Sequence, residues 1–249
     1  MTDQPTRPAS QDALFLWVMH RFSEVFEDHA VIKGGMALKL LDSPRHTMDI
    51  DYVFVQFTSK KDIQSRIEKV LAELEGATVN MELHSRMLRA DLRLDDAAIM
   101  IEANVSGECD SIPMATGGFA NSLGQPSRVV RIMDPSLALA HKIAAWNERR
   151  LLRDLYDCYF LVSRAGTSPD LNALDIRLNK IQSRLPRLRD VRRMSREELA
   201  AELQQAAMGL SDAALNQELG GILPPEEFAG LVFRIRTSVE KVVTYLLLN

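Results

Sequence analysis

Cysteine and long apolar runs are scarce in this chain. Its 249 residues include two cysteines, Cys109 and Cys158, and neither lies at the spacing of a zinc motif or a CxxC pair. We therefore expect neither a disulfide framework nor a zinc site, and the predicted location is a reducing cytoplasm. No apolar run approaches the roughly 18 residues that a membrane-spanning helix needs. The N-terminal residues lack an apolar core, so we expect neither a signal peptide nor a membrane partner.

An excess of positive charge is also absent. The formal net charge is −4, so the whole-chain charge does not indicate a nucleic-acid-binding protein. The arginines are nevertheless clustered near residue 190, and such a patch fits the phosphates of RNA. The alternative is a solvated basic segment, although Pro186 and the neighbouring leucines indicate an ordered one. The patch consists of Arg184, Arg187, Arg189, Arg192, Arg193 and Arg196.

The hydrophobic pattern divides the chain into a mixed part, residues 1–134, and a helical part, residues 135–249. The mixed part alternates helical spacing with period-two runs, which predicts the α/β class, in an α+β arrangement with a mixed sheet. Residues 107–125, rich in Gly, Ser, Asn and Pro, are predicted to form a loop. Ser10 is predicted to cap a helix that runs to about residue 28. The other predicted helices are 36–41, 60–75, 135–146, 151–163, 172–183, 196–208, 212–217 and 226–248. The predicted strands are 48–57, 78–84, 87–94, 99–106 and 129–133.

Asp49 and Asp51 occupy positions i and i+2 of a predicted strand. Alternation along a strand places both carboxylates on one side, with Cα atoms about 6–7 Å apart. Like charges this close repel unless a cation lies between them, and Mg²⁺ typically takes one or two carboxylates together with substrate phosphates. An isolated D-x-D is also consistent with a solvent-facing strand edge. The apolar neighbours Ile50 and Tyr52 indicate a buried strand instead, which favours a metal site.

Gly34 and Gly35 precede a predicted helix start. Glycine lets backbone N–H groups approach a phosphate, and a helix N-terminus favours anions. A glycine pair alone more often marks a tight turn, but a metal site on the next strand favours phosphate binding here. Lys33, Arg45 and Thr47 are further candidates for phosphate contact. For Arg45 and Thr47 the alternative is a turn with a solvated arginine.

Glu102 interrupts the apolar run I-M-I-E-A-N-V. Alternation places it on one face with Met100 and Asn104, and the apolar residues on the other. Its carboxylate is a candidate third metal ligand, or a base for an attacking hydroxyl. The alternative is an exposed sheet face.

Lys142, Asp154 and Asp157 lie in the first two helices of the helical part, which we expect to be nearly continuous. One interpretation is a ladder of surface ion pairs, Arg150 with Asp154 and Arg153 with Asp157. The other makes Lys142 a phosphate clamp and the arginine–aspartate cluster a buried framework. In a continuous helix, one face would carry Lys142, Trp146, Arg149 and Arg153.

Four motifs follow one another in a family-specific order: G-G-M-A-L, R-H-T-M-D-I-D-Y, I-E-A-N and H-K-I-A-A-W-N-E-R-R-L-L-R-D-L-Y-D-C-Y-F. The set resembles the AbiEii-type nucleotidyltransferases, toxins of type IV toxin–antitoxin and abortive-infection systems. They are a bacterial branch of the DNA polymerase beta-like superfamily that includes the MenT toxins. The resemblance runs from about Val31 to Leu161. It implies a nucleotidyltransferase core, followed by a helical domain that completes the active-site cleft.

The resemblance also implies residue roles. Asp49 and Asp51 match the metal-binding carboxylates, and Glu102 stands near the third acidic position, although Glu108 and Asp110 lie close enough in sequence to be confused with it. Met36 replaces the Ser or Thr that many relatives carry after the glycines, which removes a hydroxyl contact to phosphate. The matches to the phosphate-contacting and R-D-x-Y-D motifs are Gly34, Gly35, Lys142, Asp154 and Asp157.

The function expected from these residues is Mg²⁺-dependent transfer of a nucleotide from an NTP to RNA, with tRNA as the expected acceptor and Mn²⁺ as the alternative ion. A cognate antitoxin protein is the expected partner. Two alternatives stay open: transfer to a protein or small-molecule hydroxyl, and a nucleotide-binding module without catalysis that works through a partner.

Overall fold

The computed structural model of the protein describes residues 7–85 and 87–249; the polar lead before residue 7 lies outside them. Packing divides the chain into two compact units. The first contains Met1–Asp42 and His46–Met133, and the second contains Ser43–Arg45 and Asp134–Asn249. The short segment Ser43–Arg45 therefore packs with the helical unit, although it precedes most of the sheet in sequence.

A mixed sheet forms the centre of the first unit. Within the described residues its strands are β1 (Ala30–Lys33), β2 (Asp49–Val55), β3 (Thr78–Leu83), β4 (Leu88–Leu94), β5 (Ala97–Ser106), β6 (Ser111–Ala115) and β7 (Val129–Met133). Their order is β3-β4-β5-β2-β1-β7-β6. β2 runs parallel to β5 and β1 parallel to β7, whereas the other neighbours are antiparallel. The predicted mixed sheet is confirmed.

The apolar face of the sheet packs against α1 (Gln11–Phe26) and α3 (Lys60–Leu71). The side-chain oxygen of Ser10 accepts a hydrogen bond from the Ala13 backbone N–H at the start of α1, as the sequence predicted. Strand residues such as Ile50 and Ile101 are buried in this core, along with apolar residues of both helices. Because side chains alternate along a strand, the residues between them lie on the opposite face.

Residues 107–125 contain regular structure, so the loop prediction is wrong. They include β6 and α4 (Gly117–Ser122). β6 pairs with β7, which lies about twenty residues later in the chain, and it forms an end of the sheet order. The edge position tolerates Pro113, since an edge strand does not need every N–H for pairing. Ile112 and Met114 alternate with their neighbours, but two apolar positions around a proline are too short a run from which to predict a strand.

The second unit is helical. Its helices are α5 (Pro135–Arg149), α6 (Leu152–Ser163), α7 (Leu171–Leu178), α8 (Arg196–Gly209), α9 (Asp212–Leu219) and α10 (Leu231–Leu248). The expectation of nearly continuous α5 and α6 is wrong, because Arg150 adopts a left-handed conformation with φ 57°. The predicted helix at 226–248 is likewise interrupted at Gly230 and starts at Leu231. Across the described residues, the helices lack the combined length and apolarity that crossing a bilayer requires.

Candidate active site

Asp49 and Asp51 lie in the middle of the sheet. Their strand, β2, pairs with β1 on one side and with β5 on the other. Both residues are partly exposed, whereas Ile50 between them is fully buried in the core. The strand is thus central and not a sheet edge, and both carboxylates lie on its polar face, as the alternation predicted.

Strand register aligns Asp51 with two other ionisable residues. Lys33 of β1 is its neighbour on one side, and Glu102 of β5 is its neighbour on the other. The Lys33 Nζ atom lies 3.4 Å from Asp51 Oδ1. The register therefore brings Glu102 beside the metal-site candidates, whereas Glu108 and Asp110 follow the end of β5 and are exposed.

Arg89 continues this row of charges and was not among the sequence candidates. It lies on β4 opposite Glu102, and its guanidinium donates hydrogen bonds to Asp91 Oδ1 at 3.1 and 3.2 Å. The signal that could have found it is the alternation in L-R-A-D-L-R-L, which places Arg89 and Asp91 on the polar face. Its alignment with Glu102, however, depends on the pairing of β4 with β5.

The pKa of Glu102 is raised above its usual value. Burial is the largest cause, followed by the negative charges of Asp51 and Asp49, while Lys33 and Arg89 act in the opposite direction. Ionisation of Glu102 beside the charged Asp51 and Asp49 is therefore electrostatically unfavourable.

Gly34 provides space for the Asp51 carboxylate. Its backbone has φ +68°, and an added β-carbon would lie 2.2 Å from Asp51 Oδ2. Both the conformation and the close approach require glycine. The helix α2 (Gly34–Leu40) begins at this residue with Lys33 as N-cap, so the two glycines form its first turn. The predicted helix start at Met36 is two residues too late.

Thr47 contacts Asp49 directly. Its hydroxyl donates to Asp49 Oδ1 at 2.8 Å, and its side chain is almost fully buried. In this structure, Thr47 therefore orients a carboxylate of the site. Its predicted contact with phosphate stays a prediction.

Two carboxylates on one polar sheet face fit a magnesium ion. Mg²⁺ prefers oxygen ligands and is commonly held by one or two carboxylates plus substrate phosphates. Asp49 and Asp51 supply the carboxylates, and the electrostatic cost at Glu102 is of the kind that a cation relieves. In residues 7–85 and 87–249, no three Asp, Glu, His or Cys side chains converge as a ready-made metal cluster. The residues present therefore fit an ion that a substrate phosphate helps to bind, with Glu102 as a neighbour.

Asp154 and Asp157 form a buried ionic cluster in the helical unit. Both carboxylates are essentially inaccessible to solvent, at 0% and 1% exposure. The Arg149 guanidinium donates two hydrogen bonds to Asp154, each 2.7 Å long. This bidentate pair joins the end of α5 to the first turn of α6, where a negative charge also interacts well with the helix dipole.

Asp157 is held by two cations, Lys142 and Arg45. Lys142 Nζ lies 2.5 Å from Asp157 Oδ2, and Arg45 Nε lies 2.9 Å from Asp157 Oδ1. Lys142 is also 3.9 Å from Asp154. The Arg45 side chain, predicted to contact phosphate, is thus engaged with a carboxylate of its own unit.

The predicted ladder of surface ion pairs is wrong. Asp154 pairs with Arg149 rather than Arg150, whose guanidinium lies 2.8 Å from Glu202. The left-handed residue at 150 breaks the continuous helix on which the predicted pairs depended. The structure shows the buried framework that was the alternative interpretation. Whether Lys142 acts on phosphate stays a prediction.

Comparison with known proteins identifies a family that matches the sequence and solved structures with a similar fold. The profile of the family described as "Nucleotidyl transferase AbiEii toxin, Type IV TA system" matches residues 17–231. The fold is similar to MenT4, a nucleotidyltransferase toxin from Mycobacterium tuberculosis H37Rv, with a TM-score of 0.59, 14% identity and coverage of 94% of this chain and 82% of that chain. It is also similar to JHP933 from Helicobacter pylori, with a TM-score of 0.53, 15% identity and coverage of 95% and 91%. No curated protein matches the sequence.

Proposed function

The chain belongs to the AbiEii family of nucleotidyltransferase toxins of type IV toxin–antitoxin systems, and on this premise we propose that it transfers a nucleotide from an NTP to RNA in a Mg²⁺-dependent reaction. The expected acceptor is tRNA. The observation that carries the proposal is the alignment of Lys33, Asp51 and Glu102 across three neighbouring strands. Cation, carboxylate and base candidate thus lie side by side on the polar face that also carries Asp49.

Asp49 and Asp51 are the residues that would hold the metal ion, with Mn²⁺ as the alternative to Mg²⁺. When bound, the ion neutralises charge on the triphosphate. Thr47 fixes the orientation of Asp49, and Gly34 leaves room for Asp51. Both contacts keep the two carboxylates in place on the polar face.

Glu102 is the proposed base. An oxygen of the acceptor hydroxyl forms a bond to the α-phosphorus, and the bond from that phosphorus to the bridging oxygen of the β-phosphate breaks. Pyrophosphate leaves, and the hydroxyl proton passes to the Glu102 carboxylate. The position of Glu102 beside Asp51 on the same polar face is the observation that supports this role.

Cations and backbone amides would stabilise the departing pyrophosphate. We assign this role to Lys33 and to the backbone of Gly34 and Gly35, which form the first turn of α2. Lys142 stays a candidate for a further phosphate contact, and Asp157 and Asp154 orient its ammonium group within the helical unit. Because Met36 has no hydroxyl, the phosphate contacts from α2 would come from these backbone amides.

The test is incubation of the full chain with labelled NTPs, Mg²⁺ and total tRNA. Label on RNA is the expected result, and Asp49→Asn or Asp51→Asn should lower the rate by at least about 10²-fold. Asp91→Asn is the matched control, since Asp91 is an aspartate on the same polar face of a nearby strand. If the native protein labels no RNA, or if the two variants transfer as well as the native protein, the proposal is overturned.

The same assay separates the alternatives. Label on an added protein or aminoglycoside, without label on RNA, would indicate a different acceptor. Nucleotide binding without transfer to any acceptor would indicate a binding module. The family's place in toxin–antitoxin systems implies a nucleotide substrate and a cognate antitoxin. Action in the cytoplasm stays a prediction.

A further inference from the structure

The segment between α7 and α8 forms a closed and anchored loop. Two backbone hydrogen bonds close its neck, from Ile181 N to Arg192 O and from Met194 N to Leu178 O, each 3.1 Å long. Leu188 in the loop is 5% exposed, and Ile181 at the neck is 2% exposed. Residues 182–193, named here the arginine loop, are therefore held in place by apolar contacts and by their own backbone.

Glu148 of α5 fastens the start of the loop. Its backbone carbonyl accepts a hydrogen bond from the Ser183 hydroxyl at 2.5 Å, and its carboxylate accepts one from the backbone N–H of Gln182 at 3.3 Å. Beyond the other end, Arg196 forms a bidentate pair with Asp175 at 2.6 and 2.8 Å. Such fastening lowers the conformational entropy that the loop would lose when it binds a ligand.

The charge of the loop contrasts with that of the chain. Residues 184–193 contain five arginines and one aspartate, a formal charge of +4, whereas the whole chain has −4. Four of these arginines are exposed, namely Arg184, Arg189, Arg192 and Arg193. The side chain of Arg187 lies outside the described part of the chain. Among the residues that the structure describes, no carboxylate forms an ion pair with the four exposed arginines.

Three other arginines of the helical unit, in contrast, form ion pairs. Arg149, Arg177 and Arg196 are each paired with a carboxylate of the same unit. The arginine loop therefore concentrates positive charge that the unit itself does not neutralise. A surface of this kind attracts a polyanion and releases that polyanion's counterions on contact.

We propose that the arginine loop docks the phosphate backbone of the acceptor RNA. The proposal rests on the proposed function and assigns its macromolecular substrate a binding surface in the helical unit. Arginine suits this role better than lysine, because its planar guanidinium donates two parallel hydrogen bonds to a phosphate, and the loop contains no lysine. Contacts to phosphate position an RNA without reading its sequence.

The experiment compares RNA binding by two full-chain variants of equal charge. The loop variant carries Arg184→Gln, Arg189→Gln, Arg192→Gln and Arg193→Gln. The control variant carries Lys61→Gln, Arg66→Gln, Lys69→Gln and Arg93→Gln, four exposed cations on α3 and β4. Fluorescence anisotropy with labelled tRNA, at several salt concentrations and without NTP, gives the Kd and its salt dependence. Circular dichroism checks that both variants are folded.

The loop variant should bind on the order of 10²-fold more weakly than the native protein, and the slope of log K against log salt should fall by about 3, since each phosphate contact contributes about 0.7–0.9. The control variant should stay close to native. Equal binding by the native protein and the loop variant, or an equal loss in both variants, would overturn the proposal. So would binding of poly-L-glutamate as tight as that of RNA of matched charge, which would indicate an acidic protein ligand.

The RNA-binding experiment and the transfer assay can fail independently of each other. If the loop binds RNA but the native protein transfers no label, the docking surface stands and the transfer reaction fails. If RNA is labelled and the loop variant has an unchanged KM for tRNA, the transfer reaction stands and the docking surface fails.

Discussion

The carboxylate of Asp51 occupies the space into which a side chain on Gly34 would project. The added β-carbon would lie 2.2 Å from Asp51 Oδ2, on a residue whose φ is +68°. The first turn of α2 therefore approaches the central strand β2 this closely because residue 34 has no β-carbon. This fit links a sequence motif, the glycine pair, to the position of a proposed metal ligand.

Gly34→Ala should reduce nucleotide transfer by about 10²-fold or more, because it displaces Asp51 from its position. It should also cost roughly 1–2 kcal/mol of stability through the left-handed backbone. Gly124→Ala is the matched control, since Gly124 has φ +64° but no atom within 4 Å of the added β-carbon. Urea unfolding and the transfer assay measure the two effects. Equal loss of activity in both variants would show that backbone strain, and not the contact with Asp51, is responsible.

Asp157→Asn should lower the free energy of unfolding by about 3–5 kcal/mol, because it removes the carboxylate that pairs with both Lys142 and Arg45 in a largely buried site. Their side chains are 17% and 10% exposed. Asp95→Asn is the comparison, since Asp95 pairs with Arg7 in solvent, and a change of about 0–1 kcal/mol is expected there. Denaturant unfolding followed by circular dichroism gives both values. Similar small values would mean that the Asp157 pairs contribute no more than surface pairs.

Glu102→Gln should stabilise the protein at neutral pH while it reduces activity. Since the folded-state pKa of Glu102 is raised, folding binds protons, and stability is lost as pH rises from the ordinary glutamate pKa through the raised value. The variant lacks this loss, so its melting temperature should exceed the native value at pH 7 and converge with it in acid. Solvent screening keeps the difference small, because Glu102 is only partly buried. Glu82→Gln, at an exposed glutamate of β3, is the control, and a gain of the same size there would contradict the assignment.

His20 should make the protein sensitive to mild acid. Burial, together with the positive charge of Arg128, lowers the pKa of His20 to about 4. Because the unfolded state binds a proton near the usual histidine pKa, stability falls as pH drops from about 6.5 towards 4. The loss is about 1–2 kcal/mol after allowance for solvent screening.

His20→Gln should flatten the dependence of unfolding free energy on pH in this window. Its side chain can still reach Thr116 Oγ1, which His20 Nε2 contacts at 3.0 Å. His84→Gln, at an exposed histidine, is the comparison. An unchanged slope in the His20 variant would show that other groups cause the acid sensitivity.

Elements with regular spacing, including the edge strand β3, were predictable, whereas β1 and β6 were not. The cap at Ser10 and the helix after Ser59 follow from local chemistry that the sequence displays directly. β1 has four residues and β6 has five with a proline among them, so each is too short to establish a period. These strands form because their partners in the sheet supply hydrogen bonds from distant parts of the chain.

The sequence by itself determined which side chains share a face. Period-two alternation is a property of the extended backbone, so Asp49 and Asp51 had to point the same way once β2 formed. Only the tertiary structure decided what stands beside them. Strand register placed Glu102 next to Asp51 and added Arg89 to the row, and helix packing replaced the predicted surface pairs with a buried cluster around Asp157. Both outcomes depend on contacts between residues that are far apart in the chain, which spacing within one segment does not specify.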